Sequence, residues 1–336
     1  MSLLSRKGTF RPIARLTLVE IPRQPALLLL VTTLILFIGC LPFLITHNLG
    51  EPGKLVRDSA LAVMFLGALL ISATAACGAV SGEIRRGTAG AILSKPISRT
   101  RFLTAKYAGV AGVMLVFAFM CTLAILMADR AAARMYVIGW EFLVPLHLAV
   151  PGAYALAGLI NFKTRRPFAS TAFWCLAALL LIAFVVTLGM EGRSPGLIDH
   201  GGHTHADPSA GEAVPVRWAV LPACLLLTLA ALMLQALALF CALRLAVVPT
   251  LTICGGLFLL GLMSDYLLLA RSAHSLWARV LYTVLPNWQH FWMADALAGN
   301  GTVPWGYVGQ AALYALAWSA GILCLALGFF ERMEVR

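Results

Sequence analysis

The chain has 336 residues, of which 61% are apolar and 12% charged, with a formal net charge of +11. Water-soluble domains run at about 45–50% apolar and about 25% charged, so a soluble globular enzyme is excluded, and a mean hydropathy of +0.89 agrees. Abundant Leu, Phe and Trp exclude a disordered chain, and eight Cys are too few for a disulfide-stapled secreted scaffold.

What remains is an all-α, polytopic integral membrane protein, read as a cytoplasmic segment 1–25 followed by one transmembrane domain over 26–336. The leading segment is polar and proline-containing, and the apolar run after it has full span length, so it reads as retained rather than as a cleavable signal peptide. Within it, Phe10–Arg23 sets Ile13, Leu16 and Val19/Glu20 at helical spacing with Arg11 and Arg15 between them, the pattern of a short helix lying in the membrane interface. A span takes ~20 residues. Eight stretches qualify: about Ala26–Thr46, Ser59–Val80, Tyr107–Met127, Gly139–Leu159, Phe168–Leu188, Trp218–Leu243, Ala246–Leu269 and Trp305–Phe330. In hydrocarbon each amide must be satisfied within its own segment, so these are helices. Arg244 and Leu245 separate the sixth from the seventh, and a tight helical hairpin is expected there because a continuous helix would hold Arg244 at the bilayer centre.

The loop between the second and third spans, 81–106, is the most informative. A short helix is expected from Gly82 to Leu93, then a turn at Ser94–Lys95–Pro96, where the residue before proline is pushed out of the helical region. Ser98 is placed to cap the helix that becomes the third span. Ala91, Ile92 and Leu93 form a small apolar knob with Glu83, Arg85 and Arg86 at its entrance, a shape that a partner's groove can receive. The plainer reading is that the positive charges of this loop only anchor topology.

Lys and Arg fall seventeen on one side of the spans and eight on the other, which puts the basic side and both termini in the cytoplasm. The basic residues lie in short loops beside spans, so topology accounts for the charge and nucleic-acid binding is not expected.

Catalytic signatures are missing. The sequence has no Gly-x-x-x-x-Gly-Lys-Ser/Thr, no His-Glu-x-x-His and no Gly-x-Ser-x-Gly. The Cys residues lie in or at the ends of spans without a Cys-x-x-Cys pair and read as packing residues. Apart from His147 and Asp265, the spans are nearly free of acids and imidazoles, so an enzyme is not expected. An outer loop, 190–217, carries Asp199, His200, His203, His205 and Asp207, in which the three imidazoles are candidate Zn²⁺ or Cu²⁺ ligands, although flexible His-rich tracts often bind metal only casually. Gly78–Gly82 and Gly109–Gly112 permit close helix contact, within the chain or between copies. The outer segment 271–303 carries Trp277, Tyr282, Trp288, Phe291 and Trp292, read as an interfacial aromatic belt or as the lining of an exit path.

Three stretches resemble the type-2 permeases of ATP-binding cassette exporters. Glu83–Ile84–Arg85–Arg86–Gly87–Thr88, with Ile92–Leu93–Ser94–Lys95–Pro96–Ile97–Ser98–Arg99 and Lys106–Tyr107, is similar to that family's first cytoplasmic loop. Leu285–Pro286–Asn287–Trp288–Gln289–His290–Phe291 resembles its outer re-entrant region, and Phe330–Glu331–Arg332–Met333–Glu334–Val335 resembles its carboxy-terminal ending. The resemblance is weak from about Asp129 to Arg217, where a span pair beyond the usual six would lie. It implies a subunit that binds no cofactor itself, with ATP and Mg²⁺ held on a separate cytoplasmic ATPase. That ATPase would dock on a coupling helix involving Glu83, Arg85, Arg86, Gly87, Thr88, Ile92, Leu93, Lys95 and Pro96. The permease would be paired with a second copy or a second permease in the inner (plasma) membrane, with Pro286, Asn287 and Phe291 in the outer re-entrant segment. Drug, lipid, peptide, polysaccharide and metal-linked cargo all stay open. The competing expectation is a scaffold or maturation factor that moves no solute and binds an outer protein or metal partner. An ion-coupled transporter would need midplane acids that this sequence scarcely has.

Overall fold

The computed structural model describes residues 10–45, 53–81, 98–134, 138–190, 197–200, 203–206, 213–269, 275–299 and 301–332. Ten helices carry the architecture among these residues. They are α1 (Phe10–Glu20), α2 (Pro25–Leu44), α3 (Lys54–Ala76), α4 (Arg99–Ala131), α5 (Trp140–Thr164), α6 (Phe168–Leu188), α7 (Val220–Ala242), α8 (Val247–Leu262), α9 (Leu276–Val284) and α10 (Trp305–Glu331). Seven of them, α2 to α7 and α10, are long and apolar enough to cross a membrane. This is a polytopic helical membrane protein. Its described residues also include one small hairpin, β1 (Leu197–His200) paired antiparallel with β2 (His203–Ala206).

Local chemistry sets the helix ends. Ser98 caps α4 as its position before the apolar run requires, its Oγ accepting from the Arg101 N–H at 3.4 Å. Helix α5 stops where Arg165 turns into the left-handed region at φ 57° and Pro167 follows, while Asn161 Nδ2 donates to the Arg166 carbonyl. The expected hairpin at Arg244 is present: α7 ends at Ala242, α8 begins at Val247, and the exposed Arg244 guanidinium lies 4.5 Å from the Phe329 ring centroid of α10.

Helices α3, α4 and α7 form the centre, with 67–78% of their most apolar stretches buried, whereas α10 is only 22% buried and lies at the edge. Small residues allow this close packing, as membrane interiors favour: Ala60, Ala68, Ala75 and Ala76 of α3 meet Ala223, Ala230 and Ala231 of α7 within one core. One reciprocal polar pair crosses it. Gln235 Nε2 donates to the Tyr107 carbonyl at 3.0 Å, and Tyr107 Oη donates to the Leu232 carbonyl at 3.2 Å. Helix α4 is the hub and touches α1, α2, α3, α5, α6, α7 and α10. Helices α5 and α6 pack chiefly on each other and join the remainder through α4 and α2.

The expected interfacial helix is α1, continued by a 3-10 turn at Ile21–Arg23. It packs on α4 through Thr17 and Leu18, and the glycines expected at a close contact serve this one. A Cβ on Gly109 would stand 2.6 Å from Thr17 Cβ and 2.7 Å from the Ala14 carbonyl, and one on Gly112 would stand 2.7 Å from Leu18 Cδ1. Gly78 likewise receives the Gln24 side chain.

Candidate functional site

The residues expected to couple to an ATPase, Glu83, Arg85, Arg86, Gly87, Thr88, Ile92, Leu93, Lys95 and Pro96, lie outside the described residues. What the structure gives is the frame on either side of them. Arg99, in the first turn of α4, donates through Nη1 to the Phe330 and Glu331 carbonyls at 2.5 and 3.1 Å, and its guanidinium lies over the Phe330 ring. A cation on the last carbonyls of a helix meets the negative end of its dipole, so the start of α4 is bound to the end of α10. Phe102 adds a stacked contact with Phe330. The helix expected to start near Ser98 and to become the third span is present. Residues from Arg99 onward are helix, and Lys106 is buried in α4, its ammonium 5.7 Å from the Phe102 ring.

At its other end α4 carries a charge cluster that hydropathy placed in an outer loop. Arg57 of α3 is fully buried, pairs with Asp129 of α4 at 3.3 Å, and donates through Nη2 to the Leu297 carbonyl at 3.2 Å. The next residue, Arg130, donates to the carbonyls of Val214 (Nε, 2.6 Å), Met190 (Nη2, 2.5 Å) and Thr187 (Nη1), with the Phe142 ring 4.2 Å from its guanidinium carbon. Arg134 pairs with Glu141 at 3.7 Å. The signal for this extension was in the sequence: Ala128, Ala131, Ala132 and Ala133 surround Asp129 and Arg130, and alanine is the strongest helix former.

The outer segment forms a polar knot on the end of α8. Expected to continue to Leu269, α8 instead gives way after Leu262 to a π turn at Asp265–Leu269. Its 16 residues cover about 24 Å. Asp265 Oδ1 accepts from Asn287 Nδ2 at 2.7 Å and from Tyr282 Oη at 2.9 Å. Asn287 Oδ1 accepts from the Gln289 N–H, the Asn287 N–H donates to Tyr314 Oη, and Gln289 Nε2 donates to the Leu262 carbonyl. The Asp265 carboxylate that accepts the Tyr282 proton pushes that phenol above its ordinary value. Gly261 is where the segment returns, because only a residue without Cβ leaves room for the Pro286 carbonyl and the Trp288 indole. Of the three residues that the resemblance marked, Pro286 meets Gly261, Asn287 donates to Asp265 and Phe291 lies against Tyr314. The aromatic belt is only partly right. Trp277 is 77% exposed, but Trp288 and Phe291 are fully buried against Phe65, Phe258 and Tyr314, because a returning segment must fill the space beside its short helix.

For His200, His203 and His205 the structure gives the backbone register alone, with His200 opposite His203 and Ile198 opposite His205. Their imidazoles lie outside the described residues. His147 is a satisfied packing histidine, with Nδ1 2.9 Å from the Leu143 carbonyl and Nε2 3.7 Å from Cys40 Sγ. All eight cysteines are free thiols. Compared with protein-family models, with curated proteins and with solved structures, the chain matches none.

Proposed function

We propose that the chain is the membrane-spanning permease subunit of an ATP-binding cassette exporter, set in the inner (plasma) membrane with both termini in the cytoplasm. In this reading a separate cytoplasmic subunit holds and hydrolyses ATP with Mg²⁺ and grips the loop 82–97. The permease works as a homodimer or beside a second permease. The observation that carries the reading is the placement of α4. This helix of 33 residues, about 50 Å long, starts at that loop, is tied there to the end of α10 through Arg99, and ends at Asp129 against α3 and the outer segment. A force applied to the loop reaches the outer face through one rigid rod, which is what a chain without a P-loop needs if a neighbour drives it.

The same ties support eight crossings. Helix α10 ends at the Arg99 face, where α7 also ends through Arg244, so α8 begins at that face. Leu297, shortly before α10, lies at the Arg57 face, and α8 with its π turn covers the distance between. An even count returns both termini to one side, and the Lys and Arg excess makes that side cytoplasmic.

The test is to purify the chain with its ATPase partner and compare wild type with Glu83→Ala and Arg86→Ala. Both variants are expected to insert normally, to retain basal ATP hydrolysis and to lose transport coupled to it. Normal coupling in both, or full transport by the chain alone, defeats the proposal.

A further inference from the structure

Beside the α5–α6 hairpin, at the Arg99 face, lies a groove of about 680 Å³ that no part of the proposed transport function uses. Its walls are mostly apolar, with Leu156 and Ile160 of α5 and Trp174, Leu179 and Ile182 of α6, beside the small polar side chains of Ser170, Thr171 and Cys175. Arg23, at the end of the 3-10 turn, and Arg166, in the loop before α6, line the same groove, and no carboxylate does. Both arginines are exposed, and neither makes an ion pair among the described residues. Pro167, just before α6, and Ser170 and Thr171 in its first turn also line the groove, and this helix begins without a side-chain cap.

The dimensions and chemistry match one class of ligand. From Phe168 to its midpoint at Ala178 α6 rises about 15 Å, half of the hydrocarbon core. The groove is therefore cationic at headgroup level and apolar down to the midplane. It also continues along α1, where Arg11, Arg15, Leu16 and Val19 line a shallower trough that shares Val19 with it. We propose that this groove seats one anionic glycerophospholipid of the cytoplasmic leaflet, its phosphate between Arg23 and Arg166 and an acyl chain along Trp174, Leu179 and Ile182. The seat joins α1 to the α5–α6 hairpin by a molecule of the bilayer. It rests on the proposed orientation, with the basic face in the cytoplasm, but not on the ATPase reading.

The full-length protein, exchanged into neutral detergent with phosphatidylglycerol and phosphatidylcholine in equal amounts, is examined by native mass spectrometry for retained lipid. Wild type is expected to keep one phosphatidylglycerol with a preference of about thirtyfold, the effect of two guanidinium groups on one anionic headgroup. R23Q/R166Q is expected to bring that preference close to one. A178W, which fills the groove without touching a charge, is expected to retain no tightly held lipid of either kind. R166Q alone, at an exposed loop position, should lower the preference about fivefold, and it carries the same reading if the double variant does not elute as a single species. Equal retention of the two lipids by wild type overturns the proposal. So does an unchanged preference in R166Q, or displacement of the phosphatidylglycerol by inorganic phosphate alone.

Discussion

The buried pair Arg57–Asp129 offers the sharpest test of how the outer end of α4 is held. Arg57 is wholly shielded, with one carboxylate at 3.3 Å and one carbonyl at 3.2 Å, and its Nε has no partner among the described residues. Asp129→Asn keeps the shape and leaves an acceptor but removes the charge, so a buried guanidinium faces only dipoles. Removing one partner of a buried pair costs about 3–5 kcal/mol. Because Leu297 still accepts from Nη2, the lower end applies: about 3 kcal/mol, more than a hundredfold in the unfolding equilibrium. Removing both charges in Arg57→Met with Asp129→Leu should return stability to within about 1 kcal/mol of wild type, since desolvating two ions offsets most of their attraction. Reversible denaturation in mixed micelles, followed by far-ultraviolet circular dichroism, is measured for Asp129→Asn and for wild type, Arg57→Met, Asp129→Leu and their combination, and the last four give the coupling. A loss under about 1 kcal/mol for Asp129→Asn, or a double variant no more stable than the single, would refute the reasoning.

Gly109→Val should detach α1 from α4, because the new Cβ meets Thr17 and the Ala14 backbone at under 3 Å; overpacking of this kind costs about 1–3 kcal/mol, and cleavage after Arg15 by trypsin should accelerate while the other helices stay protected. In the outer knot, Asp265→Asn should bring the Tyr282 phenol back toward its ordinary 10.0, read by absorbance during alkaline titration. The sign follows from linkage: a phenol raised in the folded state contributes stability that is complete below 10.0 and is lost as pH rises through the folded value, so wild type should weaken in alkali more than Asp265→Asn.

The outer knot shows how far the residues alone could be read. A resemblance marked Pro286, Asn287 and Phe291 as an outer returning segment; in the structure Pro286 meets Gly261, Asn287 donates to Asp265 and Phe291 lies against Tyr314. That Trp288 belongs to the core and Trp277 to the surface was not legible, since both are tryptophans in one aromatic stretch and only the partners across the chain, Phe65 and Phe258, separate them. The glycines of α4 posed the same problem. Their spacing announced a close neighbour without saying that it would be α1 of the same chain rather than a second copy.

Span positions needed nothing beyond the one-dimensional run of apolar residues, because lipid imposes the same demand on every residue of a crossing helix whatever its neighbours are. Phe168–Leu188 was read to the residue, and the cap at Ser98 followed from local backbone chemistry. The depth of a charge is another matter. Hydropathy put Arg57, Lys106, Asp129 and Arg130 in loops, and tertiary packing drew them into helices, where carbonyls, aromatic faces and the Arg57–Asp129 pairing replace water. Whether an ion can leave solvent depends on the partners that arrive from elsewhere in the chain, and folding alone brings them.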